Sequence, residues 1–394
     1  MPSNYDAVVI GAGPAGSMAA YEIASAGYSV LLLEKHKTPG TPLCCAEAVS
    51  RPSFERILHL RQEWIAASID RVRIVAPSGD EVNLFSPNIG YILERKRLDR
   101  DLAEQATKAG ADLKCEAIGL ELVRTGNLFK SLKIIRKNNQ MADIQAKIFI
   151  AADGVESKIA RQAGFDNTID GGDIEALFQY RLEEIAIDPT KVEFFVGNEI
   201  APGSYIWVFP KSSSSANVGL GVSIGPRTGK QAQVLLQQFI YKRFGKAVIQ
   251  ETVCGLVPRY QGERMFQLAN LLVVGDAARA VDSLSGAGIV NAMLSGKYAG
   301  IAAAKYISGR IENIDQIKEL YPGRFLQEKG EELIMYTRLR QIYNRLDDKD
   351  FNDIVLALRD YLSKNSITGI SAGKILAGII KTRPRLLRLA KYLA

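Results

Sequence analysis

Acidic residues are missing from the end of this chain. After Asp360 come Lys364, Lys374, Lys381, Arg383, Arg385, Arg388 and Lys391 with no Asp or Glu among them, so the formal excess of +7 resides entirely in the tail. Cysteine and histidine are scarce as well. The four cysteines (Cys44, Cys45, Cys115, Cys254) are too few and too scattered for a disulfide framework. With His36 and His59 as the sole histidines there is no zinc constellation either, and no metal is expected. The sequence also lacks an uninterrupted apolar run long enough to cross a bilayer. It enters a strand almost at once, without a basic leader and cleavage site. The expectation is a cytoplasmic protein that does not span the membrane and does not bind nucleic acid.

What is present begins at residues 5–35, YDAVVIGAGPAGSMAAYEIASAGYSVLLLEK. Residues 7–10 read as an apolar strand, Gly11, Gly13 and Gly16 as a turn, residues 18–26 as a helix and residues 28–33 as a second strand ending at Glu34. In such a βαβ unit Gly11 permits the tight turn and Gly13 lets the backbone approach a pyrophosphate. Gly16 allows close packing of a helix whose N-terminus holds the phosphates. Glu34 is placed to accept from a ribose diol, and its charge repels the 2′-phosphate of NADP. FAD or NAD remains.

The chain is 394 residues long, which suits two or three domains, and 47% hydrophobic with 24% charged residues, which describes a soluble globular protein. Residues 35–50, KHKTPGTPLCCAEAVS, read as a loop because Pro39, Gly40 and Pro42 break any regular element. It carries Cys44, Cys45 and Glu47 next to the nucleotide strand, and each thiol reads either as inert packing or as part of a site. A helical stretch at 52–60 and strands at 69–75 and 81–85 follow. Leu98, Leu102, Ala106 and Ala109 then form a helical stripe that stops at Gly110. Arg95, Lys96, Arg97 and Arg100 at its start are either a solvated face or a cluster with an arginine turned toward a flavin.

After strands at 113–117 and 131–137, residues 148–164 form a strand ending at Asp153 and Gly154, then a helix. Strands at 177–182, 191–196, 205–209 and 216–222 indicate an antiparallel sheet. Within it Tyr205, Trp207 and Phe209 recur at spacing two, hence on one face, as core or as the wall of a greasy binding site. Residues 271–274 are a buried strand with Gly275 and Asp276 at its carboxyl end, where ligands collect in open parallel sheets. Gly286 and Gly288 then open a helix of small residues. Asp276 caps a turn or meets a ribitol hydroxyl.

The resulting expectation is an α/β protein, α+β overall. A Rossmann-like FAD-binding domain occupies residues 1–165, with a strand excursion at 65–90, and resumes at 263–310. An antiparallel-sheet substrate domain is inserted at 166–262, and a helical region follows at 311–394.

The glycine fingerprint with Glu34, the Asp153–Gly154 strand end and the Gly275–Asp276 strand end, in this order around an inserted sheet, resemble the FAD-dependent p-hydroxybenzoate hydroxylase superfamily. Within it, residues 45–50, CAEAVS, are similar to the CGEG(L/I)S loop of the geranylgeranyl reductase family, with Ala46 and Ala48 where that family has glycines. Pro202, Tyr205, Trp207, Phe209 and Pro210 match its PxxYxWxFP substrate motif. The resemblance implies that Ala15, Glu34, Cys45, Ala46, Ala48, Arg95, Ala117, Asp276, Gly288 and Ile289 touch FAD and that the aromatic strand lines a prenyl tunnel. It implies an FAD-dependent reductase that saturates C=C bonds of geranylgeranyl chains, the flavin supplying hydride and an acid near it, with Cys45 as candidate, a proton.

With no second GxGxxG in a βαβ context, the electron donor is a ferredoxin-like protein, free reduced flavin or NAD(P)H. Two other readings stand beside the reductase: a flavin monooxygenase acting on an aromatic or polyketide-like molecule, and a non-catalytic flavoprotein. Residues 371–394, SAGKILAGIIKTRPRLLRLAKYLA, place leucines at helical spacing between basic residues on either side of Pro384. They read as a packed helical lid or as a peripheral contact with an anionic membrane.

Overall fold

The computed structural model describes residues 3–165, 174–223, 228–262 and 266–363. The basic tail at 371–394, and with it the expected membrane contact, lies outside the described residues. The chain forms two compact units. The first comprises Met1–Leu43, Arg95–Ile169 and Pro258–Ile334, and the second Cys44–Glu94, Asp170–Val257 and Met335–Ala394.

In chain order the first unit begins with β1 (Asn4–Ile10), α1 (Pro14–Ser25) and β2 (Val30–Leu33). The second unit takes β3 (Ala48–Ser50), α2 (Arg51–Glu55), β4 (Ile65–Val75) and β5 (Glu81–Leu93). The chain continues in the first with α3 (Arg95–Lys108), β6 (Asp112–Lys114), β7 (Ala117–Thr125), β8 (Leu128–Arg136), β9 (Gln140–Ala151) and α4 (Lys158–Ala163). Next, in the second, come β10 (Ile174–Glu183), β11 (Lys191–Val196), β12 (Tyr205–Pro210), β13 (Ser215–Ser223), α5 (Thr228–Phe244) and β14 (Val248–Pro258). Then β15 (Gln267–Leu268), β16 (Leu271–Val273), α6 (Ile289–Ile307), α7 (Arg324–Tyr343) and α8 (Asp348–Leu362) complete the described chain.

The first unit is built on a sheet ordered β15-β16-β9-β1-β2-β6, parallel except for β15, with the β7–β8 ribbon joined antiparallel to β9. Its central strands are unbroken apolar runs because both faces are covered: Val8, Val9, Leu31, Leu32, Phe149 and Ile150 have no accessible surface. The small residues of α6 have a steric cause. A Cβ at Gly296 would lie 2.0 Å from the carbonyl oxygen of Ala15, and one at Gly300 2.6 Å from that of Ala19, so α6 and α1 meet backbone to backbone.

The second unit is an eight-stranded sheet ordered β14-β10-β13-β12-β11-β4-β5-β3. Alternation along β12 separates its two faces. Ile206 and Val208 pack with Val218, Leu220 and, from α5, Leu236 and Ile240, whereas Trp207 and Phe209 pack with Ala67, Ile69, Ile92 and Val192. Helix α8 covers Ala76 and Val82 through Val355.

Two expectations are corrected. The strands at 65–90 belong to the second unit, because Arg71–Val75 of β4 pair in parallel with Lys191–Phe195 of β11 and make the sheet mixed. The helix expected at 52–60 is only α2, since Ile57 and Leu58 both close on the Phe54 carbonyl in a tight turn. The expected C-terminal helical region is present, the described residues beyond 311 including α7 and α8. Among the described residues no helix is long and apolar enough to cross a membrane.

Candidate functional site

In the first unit the parallel strands deliver their carboxyl ends, and the residues attached to them, to one edge of the sheet. Gly11 follows β1 with φ +104°, a left-handed value that only glycine adopts without strain, and a Cβ there would lie 2.2 Å from the Ala152 carbonyl oxygen. Gly16 is held as closely, 1.8 Å from the Gly11 oxygen to an added Cβ, while above Gly13 a Cβ would meet nothing within 4 Å. The turn is thus packed from beneath and open on the side a ligand approaches. Helix α1 starts with Pro14 and Ala15, has no acidic residue in its first turn and no capping side chain. Helix α6, with Gly288 at its N-cap and Ile289 first, lacks both as well. Their leading N–H groups and positive dipole ends suit an anion.

Glu34 stands at the end of β2 and is 7% exposed. Its Oε2 accepts from the Ala12 amide at 3.1 Å and its Oε1 from the His36 amide at 2.9 Å. Oε1 also lies 2.9 Å from His36 Nδ1, so of the roughly four acceptor sites of a carboxylate about one remains for a hydroxyl. The Ala117 amide donates to the Glu34 carbonyl at 3.0 Å, which sets Ala117 beside it.

Asp153, beyond β9 and followed by Gly154 at φ +73°, caps α4 by accepting from the Ile159 amide at 2.9 Å through Oδ2. Its Oδ1 is buried without a hydrogen-bond partner among the described residues, and burial raises the carboxyl above its ordinary range. After β16, the Gly275 amide donates to Ser295 Oγ at 3.0 Å. Burial raises the Asp276 carboxyl too, the charge of Arg95 acting against it. Arg95 itself is clamped in two parallel bonds by Asp99, at 2.7 and 2.8 Å. Asp282 holds the loop ahead of α6 by accepting from Leu284 and Ser285 amides at 2.7 and 3.2 Å.

An open glycine turn, two uncapped helix N-termini, a carboxylate with an acceptor site to spare and an orphan Asp153 oxygen fit a dinucleotide with a ribityl arm, and thus FAD. Ser295, Asp99 and Asp282 hold this edge in place and were not singled out by the sequence. Polar residues next to glycine turns were the available signal.

Cys45, Ala46 and Ala48 lie in the second unit, with the aromatic strand. Pro202 is half-buried ahead of β12 and Pro210 ends it, buried. Tyr205, Trp207 and Phe209 share one sheet face. Phe194 meets Tyr205 and Phe209 edge-on at 5.4 and 5.5 Å between ring centroids, each such pair worth about 0.5–1.5 kcal/mol beyond burial. Trp207 is 4% exposed and Phe209 6%, while Tyr205 and Phe194 keep part of their surface accessible. Gly219 on β13 makes room for the indole, since a Cβ there would lie 2.3 Å from Trp207 Cζ2.

The loop at 44–48 is gripped by side chains that the sequence did not reveal. Gln179 accepts from Trp207 Nε1 at 2.9 Å and donates to the Cys45 carbonyl at 3.4 Å. Asn217 donates to the Ala46 carbonyl at 3.3 Å and to Glu47 Oε2 at 2.8 Å. Lys211 Nζ lies 2.7 Å from Glu47 Oε2. Cys45 Sγ accepts from the Glu47 amide at 3.2 Å, and Ala48 opens β3, paired with Ile92 of β5.

Residues 173–257 match the geranylgeranyl reductase catalytic domain and residues 9–55 an NAD(P)-binding Rossmann-like domain. The digeranylgeranylglycerophospholipid reductase of Methanosarcina acetivorans is 39% identical over 367 residues, 91% of this chain and 90% of that protein. A geranylgeranyl bacteriochlorophyll reductase-like protein of Thermoplasma acidophilum superposes with a TM-score of 0.90 at 31% identity over 100% of both chains. The p-nitrophenol 4-monooxygenase of Pseudomonas putida shares the fold alone, with a TM-score of 0.70 at 16% identity over 100% of both chains.

Proposed function

The chain belongs to the digeranylgeranylglycerophospholipid reductase family, and from that membership we propose that it saturates C=C bonds in the geranylgeranyl chains of a membrane-lipid precursor. It is an FAD-dependent oxidoreductase. The observation that carries the reading is the 39% identity to a reductase of that name over nine-tenths of both chains, with the whole PxxYxWxFP motif present from Pro202 to the end of β12.

In the proposed site Gly11, Gly13, Ala15 and Gly16 hold the pyrophosphate and Glu34 the ribose diol. Asp153, Gly154, Gly275, Asp276, Gly288 and Ile289 take the ribityl and flavin end, with Arg95 and Ala117 at the margin. The family resemblance assigns FAD contacts to Cys45, Ala46 and Ala48 as well. FAD, when bound and reduced, supplies a hydride. An isolated trisubstituted alkene is not polarised, so hydride addition to one carbon needs a proton at the other in nearly the same step. We assign delivery of that proton to the Cys45 thiol, directly or through a water.

Pro202, Tyr205, Trp207, Phe209 and Pro210 shape the wall along which the prenyl chain lies. Their apolar rings exclude the water that would compete for the proton. Electrons come from an external reductant, a ferredoxin-like carrier, free reduced flavin or NAD(P)H, distinguished by which re-reduces the bound flavin. Peripheral contact of the basic tail with an anionic membrane is part of the proposal, since it would deliver the lipid without passing its chains through water.

Anaerobic titration tests the reading. Photoreduced holoenzyme should regain its oxidised-flavin absorbance when a geranylgeranyl lipid is added without oxygen. A protein that regains it only when oxygen enters would be behaving as a monooxygenase.

A further inference from the structure

Glu47 is 2% exposed and sits at φ +73°, a left-handed backbone that side chains with a Cβ avoid. It is hydrogen-bonded to several neighbours in the second unit. Its carboxylate takes Lys211 Nζ at 2.7 Å and Asn217 Nδ2 at 2.8 Å, its carbonyl takes the Leu93 amide at 2.9 Å, and its own amide donates to Cys45 Sγ at 3.2 Å. Lys211 also donates to the Leu93 carbonyl at 2.6 Å and lies 3.1 Å from Glu94 Oε1. The Lys211 and Glu47 side chains are 1% and 3% exposed, so the ion pair is desolvated, whereas Glu94 at 39% reaches water.

A buried ion pair is weak evidence for stability, because well-packed apolar residues of the same volume serve as well or better. What it does supply is a single allowed geometry. Here that geometry is spent on one strained residue, and the strained residue aims its amide at a thiol two positions earlier.

We propose that Lys211, acting through Glu47 and steadied by Asn217, is the positioning residue for Cys45. The ammonium holds the Glu47 carboxylate, the carboxylate holds the left-handed turn, and the turn fixes the direction of Sγ. The inference rests on the assignment of Cys45 to proton delivery and adds the group that orients it.

The test uses the FAD-loaded full chain with both buried charges removed at once, Lys211→Met with Glu47→Gln, which keeps volume and leaves no lone buried charge. Iodoacetamide labelling, resolved by peptide mass mapping, compares Cys45 with its exposed neighbour Cys44 as internal control. The expected result is retained FAD and cooperative melting, a Cys45 to Cys44 labelling ratio raised by about tenfold, and kcat lowered by about tenfold with little change in KM, a factor equal to about 1.4 kcal/mol. An unchanged ratio overturns the proposal. A raised ratio with unchanged kcat also overturns it, since the thiol would then be free to move without consequence.

Should the double variant fail to fold, Asn217→Ala decides. It leaves the ion pair in place and removes the amide from the Ala46 carbonyl and the Glu47 carboxylate, so the ratio should rise in the same direction, and an unchanged ratio overturns the proposal. Labelling needs no lipid, so failure of the wild-type enzyme to saturate a geranylgeranyl chain would count against the proposed function and not against this measurement.

Discussion

The indole Nε1 of Trp207 donates to Gln179 Oε1 over 2.9 Å, and the same Gln179 amide donates onward to the Cys45 carbonyl at 3.4 Å. One buried side chain thereby couples the aromatic strand to the cysteine loop. Trp207→Phe keeps most of the ring area and leaves Gln179 Oε1 buried without its donor, a loss of about 1–3 kcal/mol. The expected outcome is a melting temperature lowered accordingly, unchanged FAD content, and a larger drop in kcat/KM for long prenyl substrates than for short ones. Equal drops for both chain lengths would indicate that Trp207 serves the core and not the substrate.

Glu34→Ala addresses the nucleotide. Removing the carboxylate takes away the acceptor for the Ala12 and His36 amides and the proposed ribose contact, with hydrogen bonds to a charged group worth about 1.5–3 kcal/mol each. FAD should dissociate about tenfold to a hundredfold more readily, as read by fluorescence of released flavin. Full flavin occupancy at dilutions that strip no flavin from the wild type would contradict the ribose assignment.

Asp276 gives a pH dependence with a definite sign. Burial raises its carboxyl in the folded protein, so the native state keeps the proton to higher pH than the unfolded chain does. Stability contributed by this group is present at low pH and is lost as pH rises from the unfolded value, about 3.9, through the folded one. In the FAD-free protein, Asp276→Asn should therefore melt close to wild type in acid and progressively above it as pH rises to neutrality. Paired melts across that range check this, and a pH-independent difference would show that burial is not what sets the carboxyl.

The tail is tested by truncation. Residues 383–394 carry Arg383, Arg385, Arg388 and Lys391, each basic residue near an anionic surface being worth about 1 kcal/mol. Full-length protein should co-sediment with anionic liposomes at low salt and be released at high salt. The truncated chain should stay in the supernatant with its FAD retained, and unchanged sedimentation would remove the tail from the account.

Much of this molecule was legible because its signals are local. The glycine fingerprint, the Glu34 strand end and the aromatic alternation of β12 lie within short windows, and periodicity alone placed strands within β10, β11, β12 and β13. Strand partnership was not legible, since nothing in residues 71–75 announces a parallel ladder with residues 191–195. The grip on the cysteine loop was hidden for the same reason. Gln179 and Lys211 are 134 and 164 residues from the atoms they hold, and in sequence each is an ordinary polar residue in or beside a strand.

The central claim is that this chain saturates prenyl double bonds with electrons from bound FAD, and the mass of the lipid reads it directly. A geranylgeranyl lipid incubated anaerobically with chemically reduced holoenzyme, in the presence of excess reductant, should gain two hydrogens for each bond reduced, and a boiled-enzyme control should gain none. A lipid recovered at its starting mass from enzyme whose flavin is bound and reduced would contradict the account.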